Sequence, residues 1–176
     1  MKKKRQFNYL LISLIIIILD QCSKFAVRRF MSYESFSVIG EFFYLTHIQN
    51  YGAAFGLSPG SFFGFNIGIA IFNRIFLSVV AFLLVIVILI MQRQAKHFLE
   101  KLSFSLIIGG AIGNLIDRVF LGSVTDFLDF IFPFFGMERW PVFNIADSAI
   151  VVAVSILLYY TIFIEPKSRK GVESEA

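Results

Sequence analysis

The sequence predicts an all-α membrane protein: four transmembrane helices with a small extracytoplasmic β-sheet and an interfacial segment. The first observation behind this prediction is composition, since 57% of the 176 residues are hydrophobic and 16% are charged. A soluble domain of this length would show regular polar faces, which most of this chain lacks. The second observation is a set of four apolar runs near the length that crosses a bilayer, roughly 20 residues. The third is the clustering of basic residues beside and between those runs.

The apolar runs define four spans in a single integral membrane domain, 1–176. The spans lie near 7–27, 73–91, 102–121 and 145–164. Lys and Arg residues precede the first run, and others lie in the 92–101 loop and in the tail 165–176. Loops rich in Lys and Arg stay in the cytoplasm, so both termini and the 92–101 loop are expected on that side.

The first outer loop, 28–62, contains the β-prone stretch 42–48, which predicts a small sheet on the membrane surface. The segment 61–72 has the composition of a chain that lies in the interface before the second span. At the start of that span, Asn73 and Arg74 are expected to reach the interface by snorkelling.

Charge, cysteine and histidine content exclude several classes of function. The net charge of +4 comes from loops and termini, which is positive-inside patterning and not a nucleic-acid footprint. Cys22 is the lone cysteine, so neither an internal disulfide nor a Cys-only metal site can form. His47 and His97 are too few and too far apart for most zinc-protease arrangements. We expect no metal, no cofactor and no nucleic-acid partner.

Two acidic residues, Asp126 and Asp147, indicate a site. Asp126 belongs to the second outer loop, 122–142, and Asp147 begins the fourth span, so both are expected at the extracytoplasmic face. An ionisable residue at membrane depth is a functional-site hypothesis by default, because it is costly to keep there. Two close carboxylates cannot both ionise easily, so they share a proton, and one acts as base while the other acts as acid.

The predicted topology brings the other unusual polar residues to the same face. They are Asp20, Lys24, Asn50, Asn114, Asp117, Arg118 and Asn144. A transporter would more often place its acids near the middle of the membrane.

Each of these residues also has a purely structural interpretation. Asn114, Asp117 and Arg118 share one helical face, which is either a polar site or a solvated helix end. The face continues the small-residue stripe 109–113, whose spacing is typical of helix packing.

Asn144 is a favoured helix N-cap, and Asp147 three residues later resembles a capping box. This interpretation and a catalytic one can hold together. Asp20 and Lys24, four residues apart, either form a simple ion pair or orient the site.

Five motifs together point to one family. They are Asp20-Gln-x-x-Lys24, Asn50-x-Gly-Ala-Ala-Phe55, Gly110-Ala-Ile-Gly-Asn-Leu-Ile-Asp-Arg118, Val124-Thr-Asp-Phe127 and Phe143-Asn-Ile-Ala-Asp147. With these motifs, the chain resembles the bacterial lipoprotein signal peptidases, also called signal peptidase II. The resemblance covers nearly the whole chain. Gln49, where many relatives have Arg, and Thr125, where Val is commoner, depart from the pattern.

The resemblance implies an aspartic endopeptidase of the bacterial cytoplasmic (inner) membrane, and we expect the protein to be monomeric. Its substrates would be diacylglyceryl-modified prolipoproteins, cut just before the lipidated cysteine, and membrane lipids would be its other partners. Carried over by motif, Asp126 and Asp147 would be the catalytic dyad. The substrate-binding or supporting residues would be Asp20, Lys24, Asn50, Gly52, Asn114, Asp117, Arg118 and Asn144. Asp129 lies at a variable position of the family and receives no role.

Three other functions remain open on the residues alone. A Ser/Lys membrane peptidase would use Lys24 as base and Ser123 or Ser148 as nucleophile, but it leaves the paired acids unexplained. An ion-coupled transporter or channel subunit would also keep acids in a membrane. A non-catalytic assembly protein is the third.

Overall fold

Four helices and three strands follow one another in the computed structural model, which describes residues 2–52, 69–132 and 139–165. The helices are α1 (Lys2–Phe30), α2 (Ile69–Gln94), α3 (Phe98–Leu121) and α4 (Ile145–Tyr159). The strands are β1 (Ser35–Ile39), β2 (Phe43–Asn50) and β3 (Val124–Phe130). A π-helical turn, Tyr160–Ile164, continues α4.

All four helices contain a stretch that is long and apolar enough to cross a membrane. These stretches are Tyr9–Phe30, Ile71–Gln94, Phe98–Leu121 and Ile145–Ile164. The four-span prediction is therefore confirmed, with ends that differ from the predicted ones by a few residues.

The third helix begins earlier than hydropathy alone predicts. His97 is its N-cap, and the Glu100 Oε2 accepts a hydrogen bond from the His97 backbone N–H at 3.0 Å. This capping box provides acceptors for backbone N–H groups that the helix itself leaves unpaired. The polar first turn is therefore helical, although it is not part of the apolar run.

Two sequence predictions fall partly outside the described residues. Of the expected interfacial segment, 61–68 lie outside them, and 69–72 form the first turn of α2. The expected cytoplasmic tail lies outside them from residue 166 onward.

The three strands form one antiparallel sheet in the order β1–β2–β3. β2 confirms the β-prone stretch of the first outer loop. β3 was expected to be part of a loop, but it pairs with β2, and Ile48 lies opposite Asp126. The pairing joins residues far apart in the chain, which local β-propensity does not reveal.

α3 passes directly into β3 through Gly122. This residue has φ = 82° and its N–H donates to the Arg118 carbonyl at 3.1 Å, which ends the helix in the left-handed conformation that favours glycine. The Arg74 guanidinium donates to the Val119 carbonyl. Arg74 therefore caps the C-terminal end of α3.

α3 is the central helix and packs against α1, α2 and α4. Its small residues allow this close approach: a Cβ at Gly109 would lie 2.8 Å from the Ile16 Cβ, and one at Gly113 would lie 2.6 Å from the Asp20 Oδ2. Gly110 is equally tight against the Ala146 carbonyl. The packing interpretation of the glycine stripe is thus confirmed.

Candidate active site

The polar residues singled out in the sequence converge where the C-terminal halves of α1 and α3 meet β3 and the start of α4. Asp20 and Lys24 come from α1, Asn114, Asp117 and Arg118 from α3, Asp126 from β3, and Asn144 and Asp147 from the N-terminus of α4. Asn50 and Gly52 come from the end of β2 and the residues after it.

Asp126 is 3% exposed and lies in the middle of this cluster. Its Oδ2 accepts a hydrogen bond from Asn50 Nδ2 at 3.0 Å, and its Oδ1 accepts one from Asn144 Nδ2 at 2.7 Å. Burial raises the pKa of Asp126 to about 6; the charge of Asp147 adds to this rise, and the two amide hydrogen bonds oppose it. A carboxyl with this pKa keeps its proton up to a higher pH than an exposed carboxyl does.

Asp147 occupies the first turn of α4. Its Oδ1 accepts from Asn114 Nδ2 at 2.8 Å and its Oδ2 from the Asn144 backbone N–H at 3.3 Å. The Asn144 side chain in turn accepts from the Asp147 N–H at 3.0 Å, so the N-cap and capping-box prediction is confirmed. The capping role and a place in the site hold together, since both Asp147 oxygens accept hydrogen bonds inside the cluster.

Two side-chain amides connect the carboxylates. Asn144 Nδ2, which donates to Asp126, also lies 3.1 Å from Asn114 Oδ1, while Asn114 Nδ2 donates to Asp147. This amide bridge, formed by Asn114 and Asn144, runs from one aspartate to the other. It holds Asp126 and Asp147 in a fixed relation although they come from a strand and a helix.

Lys24 sets the orientation of the amide bridge. Its Nζ, fully buried, donates to Asn114 Oδ1 at 2.8 Å and pairs with Asp20 Oδ2 at 2.9 Å and Asp117 Oδ2 at 3.7 Å. With its oxygen on Lys24, the Asn114 amide must present its nitrogen to Asp147. The predicted ion pair is therefore present, and it also orients the site.

Asp20 and Asp117 attach the neighbouring elements to this cluster. Asp20 Oδ1 accepts from the Ala146 N–H at 3.0 Å, in the first turn of α4, and Asp117 Oδ2 accepts from the Thr125 N–H at 2.9 Å, in β3. Buried charges are costly without partners. These contacts therefore explain why the charged groups of Asp20, Lys24 and Asp117 can be buried. The solvated-helix-end interpretation of the α3 residues is wrong for Asn114 and Asp117, which are 6% and 1% exposed.

Sequence reasoning missed two contributors on α1. Gln21 Nε2 donates to Asp117 Oδ1 at 3.2 Å and to the Gly113 carbonyl at 3.0 Å, and Arg28 Nη1 donates to Thr125 Oγ1 at 3.0 Å. Both share a helical face with Lys24, at spacings of three and four residues, so helical periodicity could have found them.

A cavity of about 560 Å³ opens beside the two aspartates. Its polar side includes Asn50, Gly52, Asn114, Arg118, Asp126 and Asp147, and its apolar side is built from 140–143 and 150–152. Gly52 is held there by its N–H, which donates to Asn50 Oδ1 at 3.1 Å. Arg118 interacts electrostatically with both aspartates. In the described parts of the chain, no group of three or more His, Cys, Asp or Glu residues could hold a metal ion.

The contacts of the two serines contradict a Ser/Lys arrangement. Ser123 Oγ donates to Gln49 Oε1 at 2.8 Å, and Ser148 Oγ donates to the Asn144 carbonyl at 2.9 Å. Lys24 is engaged with Asp20 and Asn114 instead, so it does not activate either hydroxyl.

Fold and site together define a multi-pass membrane protein with a buried polar cluster at the end of its helices, open to a cavity. Two solved structures share this fold, both described as a bacterial membrane enzyme studied by the in meso method. The first has a TM-score of 0.73 at 30% identity and covers 90% of this chain and 92% of its own. The second has a TM-score of 0.72 at 28% identity, and the match covers 89% of this chain and 94% of the second structure's chain.

Sequence comparison gives the family. The family model described as signal peptidase (SPase) II matches residues 12–163. A lipoprotein signal peptidase of Borreliella afzelii is 36% identical over 95% of this chain and 96% of its own length. A lipoprotein signal peptidase of Moorella thermoacetica is 40% identical over 94% of this chain and 98% of its own length. The chain therefore belongs to the signal peptidase II family, and it is a membrane-embedded peptidase of signal-peptide processing.

Proposed function

We propose that this peptidase removes the signal peptide from diacylglyceryl-modified prolipoproteins, cutting just before the lipidated cysteine, with Asp126 and Asp147 as an aspartic dyad. The observation that carries the proposal is the pair of carboxylates on one cavity, joined by the amide bridge and placed in different environments. Two titratable groups whose environments differ in this way are the requirement for acid and base roles.

The roles follow from the hydrogen bonds. Asp126 is the proton carrier at rest, because burial raises its pKa to about 6. Asp147 is assigned the role of base, because its oxygens accept from N–H donors and it lies in the first turn of a helix.

The reaction then needs only a water molecule. Asp147 takes a proton from the water as its oxygen attacks the scissile carbonyl carbon, and Asp126 gives its proton to the carbonyl oxygen. The resulting tetrahedral diol collapses when Asp126 recovers a proton from one hydroxyl and Asp147 passes its proton to the leaving nitrogen. The C–N bond breaks, and the dyad returns to its starting protonation.

The apolar half of the cavity supports a lipid-modified substrate. Ile150, Val151 and Val152 of α4 line it, and Val151 is 65% exposed on the surface that faces the bilayer in a membrane. A signal segment and acyl chains can therefore remain in the hydrocarbon while the scissile bond reaches the dyad. Arg118, on the polar side, is placed to donate to substrate carbonyl groups.

The proposed setting is the bacterial cytoplasmic membrane, with both termini in the cytoplasm and the dyad at the extracytoplasmic face. The distribution of Lys and Arg supports this orientation. We also propose that the monomer is the functional unit, since the dyad, the amide bridge and the described cavity lining all come from one chain.

The decisive experiment compares a lipidated with an unlipidated precursor, each incubated with the purified protein in detergent or lipid. We expect cleavage of the lipidated precursor alone, at the bond before the modified cysteine, as read by mass spectrometry. The matched control is Asp126→Asn, which keeps the shape of the site. Equal cleavage of both precursors would contradict the substrate assignment, and full activity in the control would contradict the dyad.

A further inference from the structure

A third carboxylate lies on β3, and the mechanism does not use it. Asp129 is fully buried. Its Oδ2 accepts a hydrogen bond from Thr46 Oγ1 at 2.5 Å and forms an ion pair with Arg139 Nη2 at 3.0 Å. Its Oδ1 receives no hydrogen bond from the described residues. Since a buried carboxylate needs strong partners, Asp129 depends on Arg139 for its one opposite charge among the described residues.

Arg139 opens a return segment, 139–143, that runs along the second edge of β3. The Trp140 N–H donates to the Phe130 carbonyl at 3.0 Å, and Phe143 exchanges backbone hydrogen bonds with Leu128 at 2.7 and 3.0 Å. The sheet therefore gains a short antiparallel neighbour beside β3. Arg139 itself is 47% exposed, so the ion pair joins the surface of this segment to the interior of the sheet.

The return segment is also a wall of the cavity. Trp140, Pro141, Val142 and Phe143 line it, as Asp126 does from β3. The position of this wall relative to the dyad depends on what holds 139–143 to β3. At the Phe143 end the holding contacts are backbone hydrogen bonds, and at the other end they are the Trp140–Phe130 bond and the Asp129–Arg139 pair.

We propose that Asp129 and Arg139 are positioning residues for substrate binding: their ion pair braces the 140–143 wall of the cavity at a fixed distance from the dyad. This inference rests on the proposed function, because it assigns the wall to substrate contact. Neither residue lines the cavity. Loss of the brace should therefore weaken substrate binding and leave the chemical step almost intact, a rise in KM at nearly constant kcat.

Trp140 makes the brace observable without any turnover, since it is the chain's single tryptophan. Its ring stacks on Phe132 at a centroid distance of 6.1 Å, inside the segment that the brace holds. Emission wavelength and acrylamide quenching therefore report on the return segment alone. Arg139→Gln is the main variant, because Arg139 is the half-exposed member of the pair and glutamine can still donate a hydrogen bond towards Asp129.

We expect Arg139→Gln to increase acrylamide quenching of Trp140 and to raise KM by roughly threefold to tenfold, the size of effect that one net hydrogen bond has. Arg139→Lys keeps the positive charge, so its Trp140 quenching and its KM should stay much closer to those of the wild type. Asp129→Asn should behave like Arg139→Gln. Arg29→Gln is the matched control, an exposed arginine over the Phe30 ring, and it should change neither readout.

Unchanged quenching together with unchanged KM in Arg139→Gln would overturn the inference. A loss of kcat at constant KM in Asp129→Asn would also overturn it, because that result assigns Asp129 to the chemistry. If wild-type protein cleaved no precursor at all, the proposed function would fail, and the Trp140 quenching would still decide whether the brace exists.

Discussion

At the scale of single residues, the difference between Asp126 and Asp147 explains how one site can supply both an acid and a base. Asp126 is buried on a strand and, among the described residues, accepts from the amide side chains of Asn50 and Asn144. Asp147 lies in the first turn of a helix and accepts from a backbone N–H as well. The two carboxyls therefore occupy different environments, as the proposed acid and base roles require.

The dyad prediction uses near-isosteric changes. Asp126→Asn and Asp147→Asn should each lower kcat by roughly three orders of magnitude or more, because a shared-proton pair fails when one member cannot titrate. The double variant should be scarcely worse than either single one, since the two act as a unit. Cleavage of lipidated precursor per folded molecule is the measurement.

Asp129→Asn is the local control for the dyad, a carboxylate on the same strand that should keep nearly all of its kcat. If Asp129→Asn were inactive while Asp126→Asn stayed active, the choice of catalytic residue on β3 would be wrong.

The pH dependence of activity follows from the raised pKa of Asp126. Above about pH 6 this carboxyl loses its proton, so the dyad is no longer in the singly protonated form that is competent for cleavage. We expect a bell-shaped profile of kcat/KM whose falling limb begins near that value. An activity that kept increasing through pH 8 would contradict the assignment of Asp126 as the acid.

The same carboxyl should make wild-type stability depend on pH. Its pKa is raised from 3.8 to about 6 by folding, so its stabilising effect is complete below 3.8 and is lost as the pH rises through 6. Asp126→Asn removes this titration and should gain stability relative to wild type by about 1–3 kcal/mol between pH 4 and pH 7. Thermal unfolding of wild type and Asp126→Asn at these two pH values tests this prediction. A stability difference between the two proteins that is the same at both pH values would refute it.

At the scale of elements, α3 holds the site together because it is packed against three other helices and runs straight into β3. At Gly113 it approaches α1 closely, and the missing side chain leaves room for the Asp20 carboxylate. Asp20 in turn reaches the first turn of α4 through the Ala146 N–H. The α1–α3 contact and the start of α4 are therefore mechanically coupled.

Gly113→Ala tests this coupling. The new methyl group would lie 2.6 Å from Asp20 Oδ2, so the carboxylate must move and give up its hydrogen bond to α4. We expect a loss of about 1–3 kcal/mol in stability, typical of overpacking, and a clear loss of activity. Cys22→Ala, an exposed change on α1, is the control and should leave both thermal stability and cleavage near wild type. Wild-type behaviour of Gly113→Ala would show that α1 and α3 can separate without cost.

At the scale of the whole molecule, the buried charged side chains are concentrated at one end of the bundle. The sheet closes that end, and the cavity opens beside it. Large apolar side chains elsewhere are exposed on the helix surfaces, as expected for contact with lipid. An enzyme built in this way works at one membrane surface, where water and hydrocarbon are both within reach of the site.

Topology can be tested with single cysteines in a Cys22→Ala background. Ser37→Cys on the exposed face of β1 should react with an impermeant thiol reagent added to intact spheroplasts. Lys96→Cys, exposed between α2 and α3, should react only after lysis. The reverse pattern would place the dyad in the cytoplasm and contradict the proposed setting.

The sequence alone was sufficient for the features that depend on local pattern. Hydropathy predicted four spans, because each helix in a bilayer must satisfy its own backbone hydrogen bonds over a continuous apolar stretch. Local chemistry also predicted the Asn144 cap, and the spacing of Asp20 and Lys24 allowed their ion pair. The motif residues Asn114 and Asp117 were recognised as a set, although their partners were not.

Only the tertiary structure decided how these residues act on one another. The pairing of β3 with β2, the amide bridge, the pKa of Asp126 and the Asp129–Arg139 brace all depend on contacts between distant parts of the chain. Local propensity carries no information on such contacts, and burial of a carboxyl is a property of the assembled fold. The sequence thus determined which residues could form a site and at which end of the bundle, while long-range packing determined their distances, partners and protonation.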